Sequence, residues 1–214
     1  MKKSLSMLII PFLGLSNIAI ADEAKKVEQA FNGYKTAILA QEGMNASQLV
    51  TASTIAEYQK YIDWAKTAER KALESLSFFN RLQVFLVKHR IPRAELLAMD
   101  GRELFAYAVN NDWIGKTSVI PTTVGNVEVS SSRAISDVFS SGKKVPIQFL
   151  YRKENGTWKF DLYHLMINSD GPLRTAALQS GLGENEFIFK LAETLSGTKV
   201  TDAIWSPLLR PEQQ

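Results

Sequence analysis

Apolar residues recur at helical spacing near the start of the chain. Val27, Phe31, Tyr34 and Ile38 are separated by three or four residues, which places their side chains on one side of an α-helix. The other side of such a helix carries the polar residues Lys25, Lys26, Glu28 and Gln29. The pattern therefore predicts an amphipathic helix over residues 23–41.

Two capping patterns and one long apolar run predict further helices. The tetrapeptides Thr54–Glu57 and Asp100–Glu103 each place a hydrogen-bonding side chain three residues before a glutamate, as a capping box does at a helix start. The segment Leu73–His89 has a wide apolar face, which predicts a helix covered on most sides. Because Pro92 disfavours a helical conformation at Ile91, we expect this helix to end there.

Alternating apolar residues predict β-strands after about residue 113. Val127 and Val129 mark one strand. In the next strand, Ile135, Asp137 and Phe139 are predicted to share the inward face, with small or polar residues between them. An inward Asp137 is a candidate for acid–base chemistry, and a solvated carboxylate near a strand end is the structural alternative.

The dipeptide Asn155-Gly156 lies between two further strand patterns and is typical of a two-residue type I′ hairpin turn. Such a turn fixes which residues face each other across Val145–Lys153 and Thr157–Met166. One side of this hairpin pairs Ile147 with His164, Phe149 with Leu162, Tyr151 with Phe160, and Lys153 with Trp158. The other side pairs Gln148 with Tyr163, Leu150 with Asp161, and Arg152 with Lys159. We expect the first side to line a core or pocket, and the second to face solvent or a partner subunit.

Two more helices are predicted after the strands. They cover Pro172–Gln179 and about Glu184–Ser196, with Gly181 and Gly183 between them and Gly197 as the stop. The inward residues of the second helix are predicted to be Phe187, Ile188, Leu191 and Leu195. Helices around an antiparallel meander predict an α+β class. We expect one domain over residues 22–214, with a helical insert at about 54–109 and a C-terminal helical extension at about 172–197.

The first 21 residues have the order of a secretory signal peptide. Lys2 and Lys3 precede the mostly apolar segment Leu5–Leu15, and the small-residue pattern Ala19-Ile20-Ala21 follows. The apolar run is shorter than the ~20 residues that a membrane span needs. Cleavage is predicted after Ala21, which gives a periplasmic or secreted protein without a membrane span. A buried N-terminal helix and a membrane anchor are the alternatives.

Composition and charge narrow the classes of function. The chain has 214 residues, 45% of them hydrophobic and 22% charged, which is typical of a folded protein. The absence of cysteine excludes disulfides, thiol nucleophiles and thiolate metal ligands. Residues 1–21 contain two of the 25 basic side chains, so cleavage leaves 23 against 22 acidic ones and lowers the formal charge from +3 to +1. Nothing here indicates nucleic-acid binding, which favours a clustered basic face.

Five residues of the hairpin follow a recurrent strand motif: Asn155, Gly156, Trp158, Lys159 and Leu162. Together with the order of elements, this motif resembles the nuclear transport factor 2-like superfamily, which includes ketosteroid isomerase-like and polyketide cyclase-like domains. The resemblance covers about residues 27–166 and implies helices packed on a strongly curved antiparallel sheet, forming a cone-like domain with an apolar pocket. The long helical insert and the C-terminal helices depart from the pattern of many members. Because the superfamily includes enzymes, ligand binders and interaction modules, the resemblance does not select a function.

The resemblance and the hairpin register together predict two sets of site residues. The predicted pocket lining is Tyr34, Phe149, Tyr151, Phe160, Leu162 and His164. The predicted interface for a homodimer is Gln148, Arg152, Lys159, Asp161 and Tyr163.

Few side chains are candidates for catalysis. No nucleophile elbow, phosphate-binding loop, dinucleotide fingerprint or metal-ligand spacing is present in the sequence, so we predict no cofactor and no metal. His164 or Asp137 could serve as the general acid or base, and the resemblance implies that Tyr34 could donate to an oxyanion. A core-edge histidine and a core tyrosine are the structural alternatives. Arg81 and Arg133 could hold an anionic ligand, although surface positions are the default.

These observations leave three hypotheses for the function. The first is an exported, non-catalytic protein that binds a small apolar molecule or a protein partner through its cone-like pocket. The second is a pocket enzyme of isomerase, cyclase or dehydratase type that uses an acid–base residue. The third is an assembly subunit that dimerises through the polar sheet face.

Overall fold

A computed structural model of the protein describes residues 14–209. The predicted apolar leader segment Leu5–Leu15 lies almost entirely outside the described residues. In chain order the elements are α1 (Gly14–Ala40), α2 (Gly43–Leu49), α3 (Ala52–Thr67), α4 (Arg70–Glu74), α5 (Phe78–Arg90), α6 (Arg93–Ala98), α7 (Gly101–Asn110), α8 (Lys116–Val119), β1 (Thr122–Ser130), β2 (Arg133–Ser140), β3 (Lys143–Glu154), β4 (Thr157–Phe160), α9 (Leu162–Ile167), α10 (Asp170–Ser180), α11 (Glu184–Ser196) and a 3-10 turn (Asp202–Trp205). Helices precede and follow one antiparallel sheet, which confirms the predicted α+β class.

Helix α1 confirms the first predicted helix and extends it toward the N-terminus. Val27, Phe31, Tyr34 and Ile38 are all buried on its inner side, as their spacing predicts. This side packs against strands β1 and β4. Residues 20–22, on either side of the predicted cleavage position, are exposed.

The helix starts follow the capping chemistry, with one correction. Thr51 caps α3, and its hydroxyl accepts a 3.3 Å hydrogen bond from the Thr54 backbone N–H. The prediction that Thr54 caps this helix is wrong, because the Thr54 hydroxyl instead accepts a 3.1 Å hydrogen bond from the Tyr163 backbone N–H. At α7 the predicted capping box is confirmed, since Asp100 and Glu103 each accept a 2.8 Å bond from the other's backbone N–H.

A helical core forms around α5. The predicted helix Leu73–His89 is divided into α4 and α5, because Ser77 accepts a 3.2 Å hydrogen bond from the Asn80 backbone N–H and starts a new helix. Buried residues of α3, α5, α11 and the 3-10 turn join this core. Phe85 packs edge-on against Trp205, with ring centroids 4.7 Å apart.

The C-terminal helices α10 and α11 end as predicted. Gly181 and Gly197 both have φ of +72°, the left-handed conformation that stops a helix. Helix α11 packs on α5 with Ile188 fully buried. Leu195 is 48% exposed, so its predicted inward position is wrong. The reason is that the last turn of α11 meets the polar end of α5, where His89 bonds a serine hydroxyl at 2.9 Å.

The sheet has the strand order β1-β2-β3-β4, and all neighbours are antiparallel. The turn between β3 and β4 has φ of +49° at Asn155 and +79° at Gly156, which confirms the predicted hairpin turn. The predicted facing pairs next to the turn are confirmed: Tyr151 with Phe160, Arg152 with Lys159, and Lys153 with Trp158.

Strand β4 ends at Phe160, earlier than predicted. Asp161 caps helix α9, where its carboxylate accepts a 3.4 Å bond from the His164 backbone N–H. Because residues 162–167 are helical, the predicted pairs of Phe149 with Leu162, Ile147 with His164, and Gln148 with Tyr163 are wrong.

Strand β2 presents the opposite face from the one predicted. Ala134, Ser136 and Val138 are buried against α1, whereas Ile135, Asp137 and Phe139 are only partly buried on the outer face. The inner face holds small residues because bulky aromatic side chains of α1, β3 and β4 fill the adjoining space. We call the buried residues between α1 and the sheet the sheet core.

Candidate functional site

Four of the six predicted pocket residues form the sheet core. Tyr34, Phe149, Tyr151 and Phe160 are each at most 7% exposed. The Tyr34 and Phe160 ring centroids lie 5.0 Å apart, and those of Phe149 and Phe160 lie 4.9 Å apart. Burial raises the pKa of Tyr34 above its usual range, so the phenol stays neutral. These side chains fill the space between α1 and the sheet with one another.

The other two predicted pocket residues, Leu162 and His164, belong to α9 and lie in two different cavities. Leu162 lines a cavity among helices. His164 lines a cavity on the outer face of the sheet. Their separation follows from helix α9, whose first turn points residues two positions apart in different directions.

The three catalytic candidates do not meet at one site. Tyr34 lies in the sheet core on the α1 side. Asp137 lies on the outer face, where its carboxylate forms a 2.7 Å ion pair with Lys144. His164 is on the outer face as well. Because the sheet separates Tyr34 from the other two, the predicted combination of base and oxyanion donor does not form.

The Arg81 side chain is used within the helical part of the fold. Its guanidinium forms a 2.5 Å ion pair with Glu184 and donates a 3.1 Å hydrogen bond to the Glu74 carbonyl. The side chain is only 7% exposed. Arg81 therefore connects α4, α5 and α11, and this explains its position without a ligand.

The predicted interface residues have mixed surroundings. Asp161 is 1% exposed and forms a 2.7 Å ion pair with Arg152. Lys159 donates to the carbonyl oxygen of Gln48 in helix α2. Gln148 is exposed and Tyr163 is half-buried. Dimerisation through this face remains a prediction.

A cavity of about 330 Å³ lies among α3, α5, α7 and α9, and we call it the interhelical cleft. It occurs where the helical core meets the sheet core, since Tyr58 and Leu162 pack against both. Aromatic and aliphatic side chains form most of its wall: Tyr58, Phe79, Leu104, Trp113, Leu162 and Met166.

The two serine hydroxyls of the interhelical cleft are occupied, whereas the buried Tyr61 hydroxyl in its wall has no partner among the described residues. The Ser118 hydroxyl donates a 2.6 Å hydrogen bond to the Gly115 carbonyl, and the Ser169 hydroxyl donates a 2.9 Å bond to the Leu165 carbonyl. Burial raises the pKa of Tyr58 above its usual range, which keeps that phenol neutral. None of the described residues that line the cleft carries a charge.

A second cavity, of about 450 Å³, lies on the outer face of the sheet, and we call it the sheet-face cavity. Ile135 and Leu150 form an apolar floor, and Arg133, Gln148 and His164 lie around it. Three residues that the sequence analysis singled out for other reasons are thus brought together here. Arg133 lies there because of the outward orientation of β2, which the alternation pattern predicted incorrectly, and His164 lies there because residues 162–167 are helical.

The interhelical cleft was missed by the sequence analysis. Trp113 and Ile114 are its strongest sequence signal, because these large apolar residues lie between a predicted helix and the first strand without either periodicity. Large side chains outside a periodic element often pack over a neighbouring element. Nothing local, however, indicates that Leu162 lies opposite them.

The described residues contain neither a metal-binding cluster nor a membrane-spanning helix. In residues 14–209, no group of three or more His, Asp or Glu side chains is arranged to hold a metal ion. Over the same range, no helix combines the length and the apolar character that crossing a membrane requires.

Comparisons with protein-family models, with curated proteins and with solved structures gave no match to this chain.

Proposed function

We propose that this protein is a non-catalytic binder of a small apolar molecule, which occupies the interhelical cleft. The observation that carries the proposal is an uncharged, largely apolar cavity of about 330 Å³ between two hydrophobic cores. Its size is at the lower end of the ~300–1,000 Å³ range of small-molecule sites. The cleft differs from the cone-like pocket that the family resemblance implies.

The partly exposed walls of the cleft support this proposal. Tyr58, Phe79, Trp113 and Leu162 are each only partly buried although they pack against the cores. A group of apolar side chains that remain partly exposed favours a ligand or partner, because water solvates them poorly. An apolar molecule in the cleft would complete their burial without leaving a charge unpaired.

Binding of N-phenylnaphthylamine, a neutral apolar probe whose fluorescence increases in apolar surroundings, tests the proposal. Gln83 is half-buried at the edge of the cleft. Gln83→Trp would place an indole in the cleft entrance, and we expect it to weaken probe binding at least about tenfold by steric exclusion. Gln29→Trp on the exposed side of α1 is the matched control, and it should bind the probe as the parent protein does.

Two results would overturn the proposal. One is the absence of probe binding by the folded parent protein. The other is unchanged binding in Gln83→Trp, provided that circular dichroism shows a native helix content. Native mass spectrometry of protein purified from its own host would also measure the mass of any small molecule that the protein retains.

We also propose that the protein is exported after cleavage behind Ala21. Support comes from the leader-like order of the first 21 residues and from the exposure of residues 20–22. Glu23, two residues after this position, accepts hydrogen bonds from the Lys153 and Trp158 side chains of the hairpin. Intact mass measurement on protein from its own host should give a chain that starts at Asp22, and a chain that retains Met1 would contradict export.

The assignment to the nuclear transport factor 2-like superfamily is likewise a proposal. It is supported by the helices before an antiparallel sheet and by the hairpin motif around Asn155 and Gly156.

A further inference from the structure

The outer face of the sheet carries side chains in regular rows. Strand register places Arg133, Arg152 and Lys159 directly opposite one another on β2, β3 and β4, and opposite residues share one face. In the neighbouring row, Ile135 lies opposite Leu150. These two apolar residues form the floor of the sheet-face cavity. A row of cations therefore borders an apolar floor.

Two of the three cations have partners within the fold. Arg152 forms a 2.7 Å ion pair with the buried carboxylate of Asp161. Lys159 donates to the Gln48 carbonyl oxygen. Within residues 14–209, the Arg133 guanidinium has neither an ion pair nor a hydrogen bond, and it lies at the cavity. Like charges placed opposite each other repel, so an anion beside Arg133 would lower the energy of this row.

The other polar residues of the cavity restrict the ligand further. The His164 ring and the Gln148 amide have no partner among the described residues, and both can donate a hydrogen bond. Glu128 also lines the cavity, and its carboxylate would repel a second negative charge. The cavity thus combines an apolar floor, one unpaired guanidinium, two further hydrogen-bond donors and one carboxylate that disfavours a dianion.

We propose that the sheet-face cavity binds a monocarboxylate with an apolar body. The carboxylate accepts hydrogen bonds from the Arg133 guanidinium, whose planar fork matches a carboxylate in a bidentate geometry. The apolar body lies on Ile135 and Leu150. This site is independent of the proposed function, because the interhelical cleft and the sheet-face cavity share no lining residue.

Isothermal titration calorimetry with three probes of equal chain length tests this inference: octanoate, octanol and octylammonium. The titrations use Gln83→Trp protein, so that the interhelical cleft is obstructed. We expect octanoate to bind more tightly than octanol and octylammonium. Arg133→Gln should weaken octanoate binding about tenfold, the size of a charge-assisted hydrogen-bond contribution, while octanol binding should change little.

Lys143→Gln is the matched control, because Lys143 is an exposed cation at the far end of the same sheet. It removes the same charge and should leave octanoate binding unchanged. His164→Gln keeps a hydrogen-bond donor at this position and should retain most of the affinity. Arg133 is exposed and His164 is partly exposed, so the variants at these two positions are expected to fold.

Three results would overturn the inference. They are a lack of octanoate binding by the parent protein, equal loss of affinity in Arg133→Gln and Lys143→Gln, and octanoate binding that occurs in the parent protein and in Arg133→Gln alone but disappears in Gln83→Trp. The last result would assign the octanoate to the interhelical cleft and would leave the proposed function intact. Loss of probe binding to the cleft, by contrast, would not affect the sheet-face cavity.

Discussion

The indole Nε1 of Trp158 donates a 2.7 Å hydrogen bond to the carboxylate of Glu23, which joins the β3–β4 hairpin to helix α1. Lys153 bonds the same oxygen at 2.6 Å, and Lys26 lies 3.1 Å from the other one. Lys153, Trp158 and Lys26 together lower the pKa of Glu23 to about 2. Because Glu23 follows the predicted cleavage position at Ala21, these contacts would persist in the processed protein.

Glu23→Gln is expected to lower the thermal midpoint at pH 7, and the loss should depend on pH. The folded-state pKa of Glu23 is about 2, below its ordinary value of 4.5. The stabilisation is therefore present above pH 4.5 and is lost as the pH falls toward 2. Thermal unfolding followed by circular dichroism should show that parent and variant converge at low pH.

Glu28→Gln is the control for this prediction, because Glu28 is exposed on the same helix. It should change the midpoint little at any pH. A difference between Glu23→Gln and the parent protein that stays constant from pH 7 to pH 2 would contradict the ionic contribution of Glu23.

Lys88 gives a second pH dependence. Here the pKa is lowered by burial, whereas hydrogen bonds lower that of Glu23. Its ammonium donates to the carbonyl oxygens of Ile204 at 2.5 Å and Ser206 at 2.7 Å, which holds the C-terminal segment on α5. Burial lowers the pKa of Lys88 to about 8, from an ordinary value of 10.5. Between these values the unfolded chain binds more protons than the folded one, so this group makes the free energy of unfolding rise with pH.

We therefore expect the parent protein to gain stability relative to Lys88→Met as the pH rises from 7 to 9.5. Urea unfolding at several pH values measures this difference. Lys25→Met, which removes an exposed lysine of α1, should show no such trend. If the stability difference between Lys88→Met and the parent does not change over this range, the lowered pKa of Lys88 is wrong.

The sequence correctly predicts those parts of the fold in which the stabilising interactions come from residues close together in the chain. The spacing of Val27, Phe31 and Tyr34 sets the buried side of α1 before any partner is known. The turn at Asn155-Gly156 requires two positive φ angles, which these two residue types adopt readily.

The errors arise where a distant partner decides the local structure. Strand β4 ends because Thr54, more than a hundred residues earlier, bonds the Tyr163 backbone N–H and Asp161 caps a helix. Similarly, the alternation in β2 favours Ile135 as an inward residue, yet the space beside α1 accepts only the small Ala134. By hydrophobicity alone, Ile135 rather than Ala134 would be assigned to the buried face. Both candidate cavities depend on these features, so the sequence analysis could not locate them.

Among the acidic residues at the end of the sheet, Asp161 is expected to contribute most to the free energy of unfolding. It is 1% exposed, pairs with Arg152 and caps α9. Asp161→Ala removes both interactions and should lower the free energy of unfolding by about 2–4 kcal/mol, the sum of a lost cap and a lost charge-assisted hydrogen bond. Asp161→Asn retains the cap and should cost less. Equal losses in the two variants, measured by urea unfolding, would contradict the capping role.

Two glycines permit the close packing of α7 against α2 and α3. A Cβ atom on Gly101 would lie 2.6 Å from the Ile55 carbonyl oxygen, and one on Gly43 would collide with the Ala106 carbonyl oxygen. Since both obstacles are backbone atoms, relief requires a helix to move. Gly43→Ala and Gly101→Ala should each lower the free energy of unfolding by about 1–3 kcal/mol.

Gly171→Ala is the matched control for these substitutions. A Cβ atom at Gly171, in helix α10, meets open space, and alanine favours a helix over glycine by up to about 1 kcal/mol. This variant should therefore be as stable as the parent protein or more so in urea unfolding. If Gly101→Ala is likewise as stable as the parent protein or more so, the close approach of α7 to α3 does not require glycine at position 101.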